Sequence, residues 1–121
     1  MATILIIDDE PSVRTMLRKL FERKSYIVLD AADGEEGIRL FRENPVDLVI
    51  TDLIMPEKEG LETIIDLKRE FPDTKIIAMS GGGQNKPDDY LFLAKKLGAL
   101  HTFNKPIENE KLLEKVKEVL G

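Results

Sequence analysis

Two kinds of apolar pattern alternate along this chain. Short continuous runs stop abruptly at polar residues, and between them lie longer stretches whose apolar positions recur every three or four residues. The first run, Thr3 to Ile7, stops at Asp8-Asp9. Pro11 then suits the first turn of a helix, and Val13, Met16, Leu17, Leu20 and Phe21 fall on one stripe of it. Tyr26 to Leu29 reads as a second strand. Asp33 with Glu36 three residues on reads as a capping box that opens a helix through Ile38, Leu40 and Phe41, closed by Pro45. Val46, Leu48, Val49 and Ile50 have the apolar, β-branched character of a strand buried on both faces, and that strand delivers Asp52.

Leu53 to Pro56 must travel as a loop, because proline lacks an amide hydrogen and disfavours helical geometry in its predecessor. Gly60 lets the next helix begin, with Leu61, Ile64, Ile65 and Phe71 on its apolar side. Pro72-Asp73 turns the chain into a strand over Lys75 to Met79 that ends at Ser80. Residues 81–86 read as a flexible polar loop. Pro87 with Asp88 and Asp89 suits the positive end of a fourth helix, which Gly98 terminates. Leu100 to Phe103 forms the last strand ahead of Lys105-Pro106, and Leu112, Leu113, Val116, Val119 and Leu120 stripe the final helix.

Strict alternation of strand and helix requires crossovers, and crossovers require parallel strands. The predicted fold is α/β, a doubly wound five-stranded parallel sheet with helices on both faces, a three-layer sandwich. The pattern alone leaves strand order open. Polarity is determined, however, and it carries Asp8, Asp9, Asp52, Ser80 and Lys105 to one edge, the carboxyl-terminal edge where ligands of open α/β sheets bind.

Length and composition narrow the function. At 121 residues the chain suits one domain over 1–121 with one core. There is no cysteine, so disulfides, thiolate metal sites and thiol nucleophiles are excluded. A formal net charge of -5 disfavours direct nucleic-acid binding. The amino terminus resembles neither a secretory signal nor a membrane span, so the expected location is cytoplasmic, without membrane association. His101, the one histidine, reads as a surface residue at the start of the last strand.

Three carboxylates held within about 4 Å of one another repel by roughly 4 kcal/mol per pair at an effective dielectric near 20, so a cation must answer them. Lys105 is one candidate and a divalent ion the other. An oxygen-only, carboxylate-rich donor set suits Mg²⁺, with Mn²⁺ as a substitute, and Mg²⁺ is commonly shared with phosphate. Ser80, the Gly81 amide and Lys105 would hold phosphoryl oxygens, while an aspartate can itself be the nucleophile; Asp52, alone at the tip of the central strand, is the geometric choice.

Asp8-Asp9 after the first strand, Asp52-Leu53-Ile54-Met55-Pro56 with Gly60, Ser80 after the fourth strand and Lys105-Pro106 after the fifth together resemble the receiver domain of two-component response regulators. The likeness covers essentially the whole chain. It implies a CheY-like, flavodoxin-like strand order 2-1-3-4-5. It also implies that Asp52 accepts a phosphoryl group from a sensor histidine kinase or phosphotransfer protein. By the same resemblance Asp9, Asp52 and the backbone carbonyl of Ile54 would ligate Mg²⁺ directly and Asp8 through water. Lys105 would pair with a phosphoryl oxygen, Ser80 would swing inward as a switch, and the Lys105-Pro106 bond would be cis. The output would reach a downstream effector protein or a C-terminal effector domain, or act through a phosphorylation-dependent homodimer. The domain would be a signalling phosphoacceptor and not an enzyme beyond its own phosphorylation and dephosphorylation. The end at Gly121, just after the last helix, suits either a stand-alone receiver or a piece of a longer regulator.

Two departures from the family pattern stand out. Thr102 occupies the position of the usual aromatic switch residue, and Phe103, facing the other way, is expected in the core. The loop after Ser80 is longer than usual and glycine-rich, which places the expected rearrangement near residues 81–97. Ile54, apolar and branched, would exclude attacking water and slow loss of phosphate. Three other readings compete. A haloacid-dehalogenase-like phosphohydrolase would need an acid two residues after Asp52, where Ile54 stands. A binding module without phosphorylation would have no use for the retained acids, Ser80 and Lys105. A flavodoxin would meet Asp-Asp-Glu-Pro where its phosphate loop should be.

Overall fold

The computed structural model describes residues 1–53, 60–80 and 87–121. Five strands, β1 (Thr3–Ile7), β2 (Ile27–Ala31), β3 (Leu48–Asp52), β4 (Ile76–Ser80) and β5 (His101–Asn104), alternate with five helices. The helices are α1 (Pro11–Glu22), α2 (Gly34–Glu43), α3 (Gly60–Glu70), α4 (Pro87–Leu97) and α5 (Asn109–Leu120). The strands form one sheet in the order β2-β1-β3-β4-β5, and every neighbouring pair is parallel. This is the doubly wound, flavodoxin-like arrangement.

β1, β3 and β4 are buried along their whole length, which explains why they read as unbroken apolar runs. Successive side chains of each strand supply two separate cores. Leu5, Ile7, Val49, Ile76 and Ala78 join Ile38 of α2, Ile64 and Leu67 of α3 and Ala94 of α4. Ile4, Ile6, Leu48, Ile50, Ile77 and Met79 join Leu17 and Phe21 of α1 and Leu112 and Val116 of α5. Local chemistry fixes the element ends. Asp33 Oδ1 accepts the Glu36 amide at 2.9 Å and caps α2. Asp47 accepts the Thr3 amide at 2.8 Å and returns its own amide to Thr3 O at 2.8 Å, so it aligns the starts of β1 and β3. Gly98, at φ 120, ends α4 in a conformation that side chains resist.

Boundaries shift from the sequence expectation where polar residues intrude. The second strand runs over Ile27–Ala31 instead of Tyr26 to Leu29, because Ile6 and Ile7 of β1 pair with Asp30 and Ala31. Asp30 is tolerated there by ion pairs with Arg18 at 2.7 Å and Arg14 at 3.8 Å. Tyr26 instead closes the turn, its ring edge-on to Phe21 at 6.2 Å. Phe103 packs against the α1/α5 core but is only half-buried, because β5 is an edge strand. His101 is likewise half-buried.

Candidate phosphoryl and metal site

Strand register assembles the site. Ile7 pairs with Thr51, so Asp8 and Asp52 occupy the next rung side by side. Ser80 pairs with Asn104, so Lys105 leaves β5 one step beyond the hydroxyl, and its amide donates to Ser80 O at 2.8 Å. The Lys105–Pro106 peptide bond is cis.

Asp8 is fully buried and fixed on several sides. Its amide donates to Ala31 O at 3.1 Å, its Oδ1 accepts the Glu10 amide at 2.8 Å, and its carbonyl accepts Arg14 Nη1 at 2.7 Å. Asp52, 5% exposed, is held from beneath: Thr51 Oγ1 donates to its carbonyl at 3.0 Å, and Gly60 packs directly on the same carbonyl. The Leu53 amide donates to Met79 O at 2.9 Å, which ties the chain leaving Asp52 to β4. Asp9 is exposed at the mouth.

Lys105 Nζ reaches back across the edge to Asp8 Oδ2 at 2.9 Å, Asp52 Oδ2 at 3.3 Å and Glu10 Oε1 at 3.4 Å. Burial alone would lower the ammonium's pKa. Hydrogen bonding and attraction to Asp8 and Asp52 outweigh that, and push it up to about 12. The lysine is therefore a cation at neutral pH, at the centre of the acids. Ser80 Oγ shows the opposite condition: it is fully buried and has no hydrogen-bond partner among the described residues. An orphaned buried hydroxyl costs stability unless something else accepts from it or donates to it.

Carboxylate oxygens of Asp8, Asp9 and Asp52 lie within 4.8 Å of one another. Three acids and no nitrogen or sulfur donor form a hard-cation set, so these residues fit Mg²⁺. Thr102 is half-buried beside Ala78 on the neighbouring strand. Two residues named from the sequence, Ile54 and Gly81, lie outside the described residues, as does the 81–86 loop. The sequence reading missed Glu10 as a partner of Lys105; its place as the third acid before Pro11, on the same edge as Asp8, was the available signal. It also missed Arg14 as the clamp on Asp8 O. A cavity of about 800 Å³ opens at the opposite edge of the sheet, among Met1, Phe41, Val46, Phe71 and Leu120, and includes none of these groups.

Comparison with known proteins agrees with this fold. A family model described as the response regulator receiver domain matches residues 4–117. Protein CcdB of Bacillus subtilis is 34% identical over 122 residues, covering 100% of this chain and 99% of that one. The response regulator GtcR of Aneurinibacillus migulanus is 38% identical over 104 residues, which are 86% of this chain but 41% of that longer protein. The crystal structure of the Thermotoga maritima response regulator TrrA, in complex with Mg²⁺ and BeF, superposes with a TM-score of 0.84 at 32% identity, covering 99% of this chain and 100% of that one.

Proposed function

The chain belongs to the response regulator receiver domains of two-component signalling, and from that premise we propose that Asp52 is its phosphoacceptor. An Asp52 carboxylate oxygen would form the new P–O bond with the phosphoryl group of a phosphohistidine. The P–N bond would break and its electron pair would leave with the imidazole nitrogen of a sensor histidine kinase or phosphotransfer protein. Asp8, Asp9 and Asp52 would hold Mg²⁺ or Mn²⁺, which when bound supplies positive charge to the phosphoryl oxygens. Lys105 would turn one N–H to a phosphoryl oxygen and remain protonated throughout, consistent with its raised pKa.

The observation that carries this reading is Ser80. Among the described residues its buried hydroxyl lacks a partner, and it stands on the strand next to Asp52, one residue past Met79, the register partner of Asp52, where it could donate to a phosphoryl oxygen carried by Asp52. Filling that position satisfies a polar group that is otherwise stranded, which gives the loaded state a specific gain and so a switch. A downstream effector protein or C-terminal effector domain, or a homodimer formed on phosphorylation, would read the change in the cytoplasm. The domain would turn over no external substrate beyond loading and unloading its own aspartate.

Beryllofluoride with Mg²⁺ tests the reading in solution. Amide NMR should show one equimolar complex whose largest shifts surround Asp52, Ser80 and Lys105, and no complex in Asp52→Asn. Equal binding by Asp52→Asn would contradict it.

A further inference from the structure

Glu10 enters the site in a way that phosphoryl acceptance alone does not require. It stands at the N-cap of α1, yet its side chain caps no amide there. Its own amide is held by Asp8 Oδ1 at 2.8 Å, and its carboxylate turns across the edge to place Oε1 3.4 Å from Lys105 Nζ. An ammonium has three N–H donors. Among the described residues, Asp8, Asp52 and Glu10 are the three carboxylates around this one.

The three partners are not equivalent. The Asp8 and Asp52 side chains are 0% and 7% exposed, whereas that of Glu10 is 57% exposed. Glu10 therefore approaches Nζ from the solvent side. A phosphoryl group delivered to Asp52 also arrives from solvent, so the N–H that must turn toward it is the one facing Glu10.

We propose that Glu10 is a positioning residue acting through Lys105: it occupies the solvent-side donor of the ammonium in the unloaded site and competes with the incoming phosphoryl group for it. The proposal rests on the receiver-domain reading of Asp52 and adds a built-in competitor that sets how readily the site loads. Glu10 touches neither phosphate nor metal in this scheme; its effect passes through the lysine.

Three proteins separate contact from charge: wild type, Glu10→Gln, which removes the charge, and Glu10→Asp, which keeps the charge but is one methylene too short for the contact. Each is titrated with beryllofluoride at fixed Mg²⁺ and followed by amide NMR, with a thermal melt alongside. Both variants should half-saturate at about two- to fivefold lower beryllofluoride than wild type, the range expected of a partly exposed ion pair. A merely structural role at the start of α1 would lower the melting temperature and weaken uptake, the opposite sign. Wild-type behaviour in both variants overturns the proposal. So does a Glu10→Asp that matches wild type while Glu10→Gln tightens, because charge at the mouth would then suffice. A wild type that takes up no beryllofluoride overturns the receiver reading itself.

Discussion

Gly60 lies flush against the backbone of Asp52. A β-carbon at residue 60 would collide with Asp52 O and stand 2.6 Å from Leu53 Cα, while the Gly60 amide donates to Leu53 O at 3.0 Å. The first residue of α3 is thus the floor on which the proposed phosphoacceptor rests.

Gly60→Ala should therefore push Asp52 out of register with Asp8 and Lys105. Overpacking of this kind costs about 1–3 kcal/mol, measurable by urea denaturation. Because the displaced atoms belong to the proposed acceptor, the rate of modification by acetyl phosphate should fall at least roughly tenfold. A variant destabilised to this extent but modified at the wild-type rate would show that the contact supports the fold alone.

Lys105 makes stability depend on alkaline pH. Its folded-state pKa, raised to about 12 from the ordinary 10.5, means that the folded protein binds this proton more tightly than the unfolded chain. The associated stability, about 2 kcal/mol for a rise of this size, is fully present below about pH 10.5 and is lost as pH climbs through about 12. The side chain is only 15% exposed, so solvent screening is modest. Lys105→Met should be less stable than wild type by about this amount at neutral pH. The difference should shrink above about pH 11, as seen in urea midpoints across the series. A constant difference at all pH values would assign the loss to packing instead.

The features legible in the sequence are those set by strand polarity. Asp8, Asp52 and Ser80 each stand at the end of a largely apolar run, so a parallel sheet had to bring them to one edge. Strand order was not legible from pattern; it came with the family resemblance. The end of β2 was hidden because Asp30 breaks the apolar run, and what rescues it, Arg14 and Arg18, lies one element earlier. Glu10 escaped notice because its role depends on a side-chain direction toward a lysine 95 positions away. The tight seat of Gly60 was invisible for a related reason: a glycine after a loop reads as freedom, whereas here it is a need for space.

Mg²⁺ should stabilise the fold through the acid cluster. At tenfold excess over its dissociation constant it should add about 1.4 kcal/mol, a rise of roughly 5 °C in melting temperature for a domain of this size. Asp9→Asn, an exposed position, should keep its fold and lose most of this rise. An undiminished rise in that variant would remove Asp9 from the metal set.

Ser25 tests the scaffold away from the site. It holds φ 69 in the turn after α1, a left-handed conformation that costs a side-chain-bearing residue about 1 kcal/mol. Ser25→Gly should raise stability by roughly 0.5 kcal/mol, after the added entropy of the unfolded glycine is subtracted. Beryllofluoride uptake should be unchanged. A loss of stability would mean that the serine side chain holds the turn.

The most direct test of the site is a covalent one. Wild type and Asp52→Asn are incubated with acetyl phosphate and Mg²⁺, and their intact masses are measured before and after. The expected result is a gain of one phosphate by wild type that disappears without Mg²⁺ and is absent from Asp52→Asn. No gain by wild type, or the same gain by both proteins, would contradict the assignment of Asp52.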